Sequence, residues 1–197
     1  MRLIIVRHGE TEENVKKITQ GQLPGTISEL GKEQIRKLAN RLKNEKFSIV
    51  YSSDLKRCVD TLDEIIKFHP NIPIKYTDLL REKFAGPFQG KANGEYWKQI
   101  KNDPHKAKEL GFETYEHVYQ RMKIFLHEIL KKHSKETILV VAHGATNRML
   151  LALIMNMNSK EGLDKIKPSH NTSVNIIDLE ENGNHKIHLI NCIKHLD

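Results

Sequence analysis

Leu3-Ile4-Ile5-Val6-Arg7-His8-Gly9-Glu10-Thr11 is one of two stretches that decide the fold, and Ile138-Leu139-Val140-Val141-Ala142-His143-Gly144 is the other. In each, an apolar run is followed directly by His-Gly. Such a run is typical of a central strand in a parallel sheet whose two faces are both covered by helices. Ligands of these sheets bind outside the carboxyl ends of the strands. We therefore expect His8 and His143 to share one edge of the sheet, where helix N-termini favour anions.

Strand-like and helix-like segments alternate along the rest of the chain. Further strands are predicted at Phe47–Tyr51, Ile74–Tyr76, Val174–Leu179 and Lys186–Cys192, and an Asn-Gly hairpin signal lies between the last two. Apolar residues at helical spacing predict four helices, at residues 35–42 with Ser28 as a cap, 55–66 with Ser53 or Asp54 as a cap, 118–129 and 149–155. This alternation is the pattern of an α/β domain with a largely parallel sheet.

The composition indicates one folded globular domain. The chain has 197 residues, 38% of them hydrophobic and 29% charged, and no repeat or linker divides it. We expect a single domain over residues 1–197, with a lid-like insertion at about residues 78–110. The longest apolar run, Met149–Met155, is far shorter than the roughly 20 residues that span a bilayer. With no apolar segment long enough for a secretory signal, we expect a cytoplasmic protein without a membrane partner.

The formal net charge is +7, which could favour anionic partners. The basic residues are spread along the chain, however, without a Lys/Arg block or interleaved aromatic residues, so we expect no nucleic-acid partner. The two cysteines, Cys58 and Cys192, cannot form a disulfide framework.

Three charged side chains are predicted to lie on the same rim as the two histidines. Arg7 directly precedes His8, and Arg57 lies in the first turn of the helix predicted after the second strand. Glu82 follows the third strand. Guanidinium groups bind phosphate through paired hydrogen bonds, and cations nearby keep an imidazole neutral. A neutral imidazole, two guanidinium groups and a carboxyl group could serve as nucleophile, phosphate cradle and acid for cleavage of a phosphate ester.

The ordered motifs resemble those of the histidine phosphatase superfamily, which has the phosphoglycerate mutase-like fold. The matching segments run in the family's order from residue 3 to about residue 155: Arg7-His8-Gly9-Glu10-Thr11 with Asn14, Gln20-Gly21, Ser52-Ser53-Asp54-Leu55-Lys56-Arg57, Leu80-Arg81-Glu82 with Gly86 and Gly90, and His143-Gly144. Asn171-Thr172-Ser173-Val174 resembles the family's entry into a C-terminal strand. The resemblance implies a three-layer α/β/α domain with a mixed, mostly parallel six-stranded sheet.

The resemblance also implies a function for each matching residue. His8 would be the nucleophile that becomes phosphohistidine, and Glu82 the proton donor. The phosphate pocket would comprise Arg7, Asn14, Gln20, Gly21, Arg57, His143 and Gly144. The implied activity is hydrolysis of a small phosphorylated metabolite without a metal or cofactor. The stretch from Glu82 to Gly90 is more similar to the phosphatase branch than to the mutases, and the alternatives are a cofactor-dependent phosphoglycerate mutase and a catalytically silent phosphate-binding module.

Three features bear on the details of the site. Pro24 and Thr26 stand where relatives often have Asp and Pro, so we expect the loop from Gln22 to Ser28 to differ in substrate recognition. A metal hydrolase could use His8, His143, Asp54 and Glu82 as ligands, but two guanidinium groups beside them would repel a divalent ion. The aromatic residues of the insertion, which are Phe84, Phe88, Tyr96 and Trp97, either shape a leaving-group pocket or pack a lid core.

Overall fold

A computed structural model describes residues 1–93, 109–180, 183 and 185–197. Within these ranges six strands form one sheet in the order β3-β2-β4-β1-β5-β6. The strands are β1 (Arg2–Arg7), β2 (Ile49–Ser52), β3 (Ile74–Tyr76), β4 (Thr137–Ala142), β5 (Val174–Asp178) and β6 (Lys186–Cys192). β3, β2, β4 and β1 are parallel, whereas β5 and β6 run antiparallel to their neighbours. This confirms the mixed, mostly parallel sheet.

Helices cover both faces of the sheet. The described ranges contain α1 (Glu12–Val15), α2 (Glu29–Leu42), α3 (Lys56–Ile66), α4 (Tyr115–Lys132), α5 (Gly144–Ile154) and α6 (Ser159–Lys165), with 3-10 turns at Asp78–Leu80, Gly86–Phe88 and Lys194–Leu196. Leu3 and Ile5 of β1 pack in one buried cluster with α4 and α5. Ile4 and Val6 pack on the opposite face with α2 and α3. The alternation of β1 side chains between two helical layers confirms the three-layer arrangement.

The starts of α2 and α3 are built differently. As predicted, Ser28 caps α2, and its hydroxyl accepts a hydrogen bond from the Gly31 N–H at 2.9 Å. The predicted caps of α3 are wrong, because Leu55 occupies the N-cap position without a side-chain cap bond. The Ser53 hydroxyl instead lies 2.8 Å from the His143 ring, and the Asp54 carboxylate binds Arg81 at 2.8 Å. Both side chains are thus used at the sheet edge.

Two short helices were not predicted from the sequence. α1 begins with a capping box between Thr11 and Asn14, and α6 begins with one between Asn158 and Glu161. β5 and β6 pair antiparallel as expected, but residues 181, 182 and 184 of the predicted turn lie outside the described residues. In the described part of the chain, no helix has both the length and the apolar character needed to cross a bilayer.

Candidate active site

A cavity of about 420 Å³ opens at the carboxyl ends of the parallel strands. The residues predicted for the site that line it are Arg7, His8, Asn14, Gln20, Gly21, Arg57, Glu82 and Gly144. His143, the remaining predicted residue, lies behind His8, and the two ring centroids are 5.2 Å apart. The fold therefore brings together all the side chains that the sequence placed on one rim.

His8 follows β1 directly and is only 2% exposed. Its Nδ1 lies 2.7 Å from the carbonyl oxygen of Gly9. Because a carbonyl can only accept, Nδ1 carries the proton and the lone pair of the neutral ring resides on Nε2. Burial, followed by the positive charges of Arg57 and Arg7, lowers the pKa of His8 well below its usual value. The ring is therefore neutral at pH 7, with a basic nitrogen at Nε2.

His143 is fully buried between β4 and α5. The Nε of Arg57 donates to its Nδ1 at 3.1 Å, and its Nε2 lies 2.8 Å from the Ser53 hydroxyl. These contacts make Nε2 the protonated nitrogen, which donates to Ser53. Burial and the charge of Arg57 also lower the pKa of His143 well below its usual value. His143 is thus a neutral ring with a fixed orientation.

Arg57 is a buried cation, with 1% exposure. Besides the bond to His143, its Nη1 donates to the carbonyl oxygen of Leu23 at 2.6 Å and its Nη2 to that of Gly21 at 2.8 Å. Nη1 also donates to the carbonyl oxygen of Pro24 at 3.4 Å. Of the five N–H donors of a guanidinium, one on Nη2 therefore remains for a ligand. The loop that departs from the family pattern therefore holds Arg57 through backbone oxygens rather than through side chains.

Arg7 is anchored from the other side of the cavity. Its Nη1 donates to the carbonyl oxygen of Ser169 at 2.5 Å. Its Nε is buried and, among the described residues, has no hydrogen-bond partner. An unsatisfied buried guanidinium nitrogen costs free energy, and this one belongs to a side chain that lines the cavity. The free edge of Arg7 is suited to an anionic ligand.

Glu82 follows the 3-10 turn at Asp78–Leu80 and contacts the start of α5. Its Oε1 accepts hydrogen bonds from the backbone N–H groups of Lys83 at 2.8 Å and Ala145 at 3.2 Å. A Cβ atom placed on Gly144 would lie 3.6 Å from the Arg7 guanidinium carbon and 3.7 Å from Glu82 Oε2. The carboxyl group and the Arg7 guanidinium therefore flank the same glycine.

Asn14, Gln20 and Gly21 form the wall near α1. Asn14 lines the cavity, and its Oδ1 accepts from the Thr11 N–H and from the side-chain amide of Asn171, each at 3.2 Å. Gly21 has a φ of +53°, and a Cβ there would lie 2.2 Å from the Gln89 side-chain oxygen. The positive φ and the close approach of Gln89 therefore favour glycine at this position.

Comparison with known proteins identifies the family. The sequence profile of the histidine phosphatase superfamily (branch 1) matches residues 3–192. The chain belongs to this superfamily. Phosphoserine phosphatase 1 of Hydrogenobacter thermophilus is 32% identical over 93% of the chain and 89% of the relative. A metal-independent phosphoserine phosphatase of Arabidopsis thaliana is 33% identical over 91% of the chain and 76% of the relative.

The fold agrees with that of a solved relative. The structure of YhfR from Bacillus stearothermophilus superposes with a TM-score of 0.88 at 26% identity, covering 100% of this chain and 99% of that one. The predicted family, the fold and the enzyme class are therefore confirmed: this histidine phosphatase superfamily member is a phosphatase.

Several residues that line the cavity of the histidine phosphatase were not singled out from the sequence. Ser169 contributes only its carbonyl oxygen, so no side-chain signal marks it. Tyr115 at the start of α4 and Arg148 on α5 also line the cavity, as does Lys83. Arg148 could have been found, because it lies four residues after Gly144 and thus on the same helical face.

The described aromatic residues of the predicted insertion, Phe84 and Phe88, do not line the cavity of the histidine phosphatase. Phe88 is 3% exposed and packs edge-on against Phe112, with ring centroids 6.4 Å apart, and Phe84 is 36% exposed. Phe88 therefore belongs to a small separate cluster with Phe112 rather than to the wall of the cavity. Tyr96 and Trp97 lie outside the described residues.

The surroundings of Asp54 and Cys58 bear on two other kinds of chemistry, metal binding and attack by a thiolate. Asp54, considered as a metal ligand, is bound by Arg81, and no cluster of three or more His, Cys, Asp or Glu suited to a metal ion occurs within the described ranges. Cys58 is buried beside His143, with Sγ 3.4 Å from Nε2. Burial raises the pKa of the Cys58 thiol to about 12, so this sulfur is not a thiolate nucleophile at neutral pH.

Proposed function

We propose that the chain hydrolyses small phosphomonoesters without a metal ion, through a phosphohistidine formed on His8. The observation that carries this proposal is the convergence of His8, Arg7, Arg57 and Glu82 on one cavity of about 420 Å³. The relatives named metal-independent phosphoserine phosphatase and phosphoserine phosphatase 1 support a small phosphorylated substrate.

His8 is suited to be the nucleophile because its lone pair is fixed on Nε2. The hydrogen bond from Nδ1 to the Gly9 carbonyl sets the tautomer and the direction of the ring. The burial and the neighbouring cations that lower its pKa keep the ring uncharged. The nucleophile therefore needs no separate base.

Arg7 and Arg57 would hold the equatorial oxygens of the transferred phosphoryl group. Each is anchored by backbone carbonyls on one side and retains N–H donors on the other. Fixed donors that face developing negative charge stabilise the transition state without reorganising.

Glu82 would act as acid and then as base. In the first step a bond forms between His8 Nε2 and phosphorus, the ester P–O bond breaks, and the Glu82 proton moves to the leaving oxygen. In the second step a water oxygen bonds to phosphorus, the N–P bond breaks, and the water proton returns to the Glu82 carboxylate. Inorganic phosphate leaves, and His8 and Glu82 regain their starting forms.

The phosphohistidine is tested with His8→Ala. We expect this variant to lose hydrolysis of p-nitrophenyl phosphate and to lose an acid-labile phosphoryl label that a rapid quench traps on the wild type. His127→Ala, at an exposed position on α4, is the matched control and should retain both. Activity that survives His8→Ala, or that a chelator abolishes in the wild type, refutes the proposal.

The acid step is tested with Glu82→Gln, which keeps the shape of the side chain but removes its proton. The rate should fall more for an alkyl phosphate than for p-nitrophenyl phosphate, because p-nitrophenolate leaves without protonation. Equal losses on both esters would contradict the assignment. Assaying released phosphate beside isomerised product separates hydrolysis from mutase activity.

A further inference from the structure

The cavity contains a third guanidinium group that the proposed chemistry does not use. Arg148 lines it together with Arg7 and Arg57, and Glu82 is the one carboxylate among the described lining residues. In the attacking complex Glu82 carries the proton, so a phosphate dianion offsets the charge of two guanidinium groups. The charge of Arg148 then has no carboxylate counterpart among the described lining residues, and Lys83 adds a further cation to that lining.

Arg148 lies on the leaving-group side of the site. It follows Ala145 by one turn of α5, about 4.5 Å along the helix axis. The Ala145 N–H holds the Glu82 carboxyl group at 3.2 Å. Because Glu82 would protonate the leaving oxygen, the remainder of the substrate lies beyond Glu82, towards Arg148. Arg7 and Arg57, in contrast, belong to the region around His8.

The Arg148 side chain is held in place without a carboxylate. Its Nε donates to the carbonyl oxygen of Gly162 at 3.2 Å, and its Nη2 donates to that of Leu163. Its Nη1 makes no hydrogen bond, and the side chain no ion pair, to any described residue. The guanidinium group is thus oriented by the last turn of α6, and its charge and one nitrogen stay available.

Tyr115 adds a hydroxyl group to the same part of the cavity. Burial raises the pKa of Tyr115, the charge of Glu82 raises it further, and the charge of Arg148 lowers it. Tyr115 therefore lies within electrostatic reach of both residues. Its hydroxyl is a neutral donor at pH 7.

We propose that the leaving group of the substrate carries a second anion, a carboxylate or a phosphate, which Arg148 binds with the Tyr115 hydroxyl. This inference rests on the proposed function. Guanidinium groups are the side chains best suited to both anions. The second anion offsets the charge of Arg148 and selects short substrates with negative charge at both ends.

The experiment compares two matched substrate pairs. In the first pair, 3-phosphoglycerate carries a carboxylate where glycerol 3-phosphate carries a hydroxymethyl group. 1,3-Propanediol bisphosphate and its monophosphate differ in the second phosphate. We expect the wild type to favour the doubly anionic member of at least one pair by about tenfold or more in kcat/KM. The pair that shows the preference identifies the anion.

Arg148→Gln should reduce that preference to near one, chiefly through KM for the doubly anionic substrate. Arg36→Gln removes the same charge from an exposed position on α2 and should keep the wild-type preference. Tyr115→Phe removes only the hydroxyl and should lower the preference by several-fold, which provides a test should Arg148→Gln fail to fold.

The outcomes separate this inference from the proposed function. A wild type without preference in either pair, or a preference that persists in a folded Arg148→Gln, refutes the second-anion subsite while His8-dependent turnover of p-nitrophenyl phosphate continues. Absence of that turnover refutes the proposed function itself.

Discussion

Thr61→Val tests how the nucleophile is held. Thr61 is fully buried on α3, where its hydroxyl accepts from the Gly9 N–H at 3.0 Å and donates to the Arg57 carbonyl oxygen at 2.7 Å. The Gly9 carbonyl in turn accepts from His8 Nδ1 at 2.7 Å. Valine has the same shape but no hydroxyl. Gly9, whose carbonyl oxygen orients the His8 ring, would therefore lose this tether.

The cost follows from which groups are left without partners. The Arg57 carbonyl keeps its place in the helical hydrogen-bond ladder, but the Gly9 N–H becomes a buried, unsatisfied donor, which costs about 1–3 kcal/mol. For a domain of this size each kcal/mol lowers Tm by about 2–4 °C. A loss of about 2 kcal/mol therefore predicts a fall of about 4–8 °C. Misplacement of His8 should also lower kcat by about tenfold or more.

Thermal unfolding and steady-state hydrolysis of p-nitrophenyl phosphate measure the two effects. Thr61→Ser retains the hydroxyl and should recover most of kcat, although it loses a methyl group. A Thr61→Val protein whose kcat and Tm both match those of the wild type would show that the hydroxyl does not position the nucleophile.

Two further predictions concern stability. Since the pKa values of His8 and His143 are lowered in the folded state, the unfolded chain binds more protons below its histidine pKa of about 6.5. Each ring should then lower the free energy of unfolding by about 1.4 kcal/mol for each pH unit below that value. Urea titrations at several pH values measure this dependence, which should be weaker for His8→Gln than for the wild type. An equal dependence in the two proteins would contradict the prediction. Gly31→Ala should destabilise by roughly 1–3 kcal/mol despite the better helix propensity of alanine, because its Cβ would lie 2.1 Å from the Glu10 carbonyl oxygen. The control Asn40→Ala, at an exposed position on the same helix, should be neutral or slightly stabilising. A Gly31→Ala protein more stable than the wild type would show that the Glu10 backbone moves away from the new Cβ without cost.

The sheet was predictable because its central strands are apolar on both faces. Leu3–Val6 and Ile138–Ala142 leave no other placement than between two helical layers. The catalytic candidates followed from the same feature, because residues directly after such strands must lie at one edge. His8, His143 and Arg57 therefore needed no long-range information beyond the order of the elements.

The parts that the sequence did not reveal depend on backbone groups or on tertiary contacts. Ser169 acts through a carbonyl oxygen that every residue possesses. Ser53 looked like a helix cap, but it contacts His143 across the sheet edge. α6 did carry a signal in Asn158 and Glu161, and a search for capping boxes would have detected it.

The way in which Arg57 is held has a consequence for how the enzyme can diversify. Its anchors in the loop are the carbonyl oxygens of Gly21, Leu23 and Pro24, and every amino acid supplies the same oxygen. This loop can exchange side chains at Leu23 and Pro24 while the Arg57 guanidinium keeps its position. New substrate preferences are thus open to this scaffold through mutations that leave the reaction centre untouched.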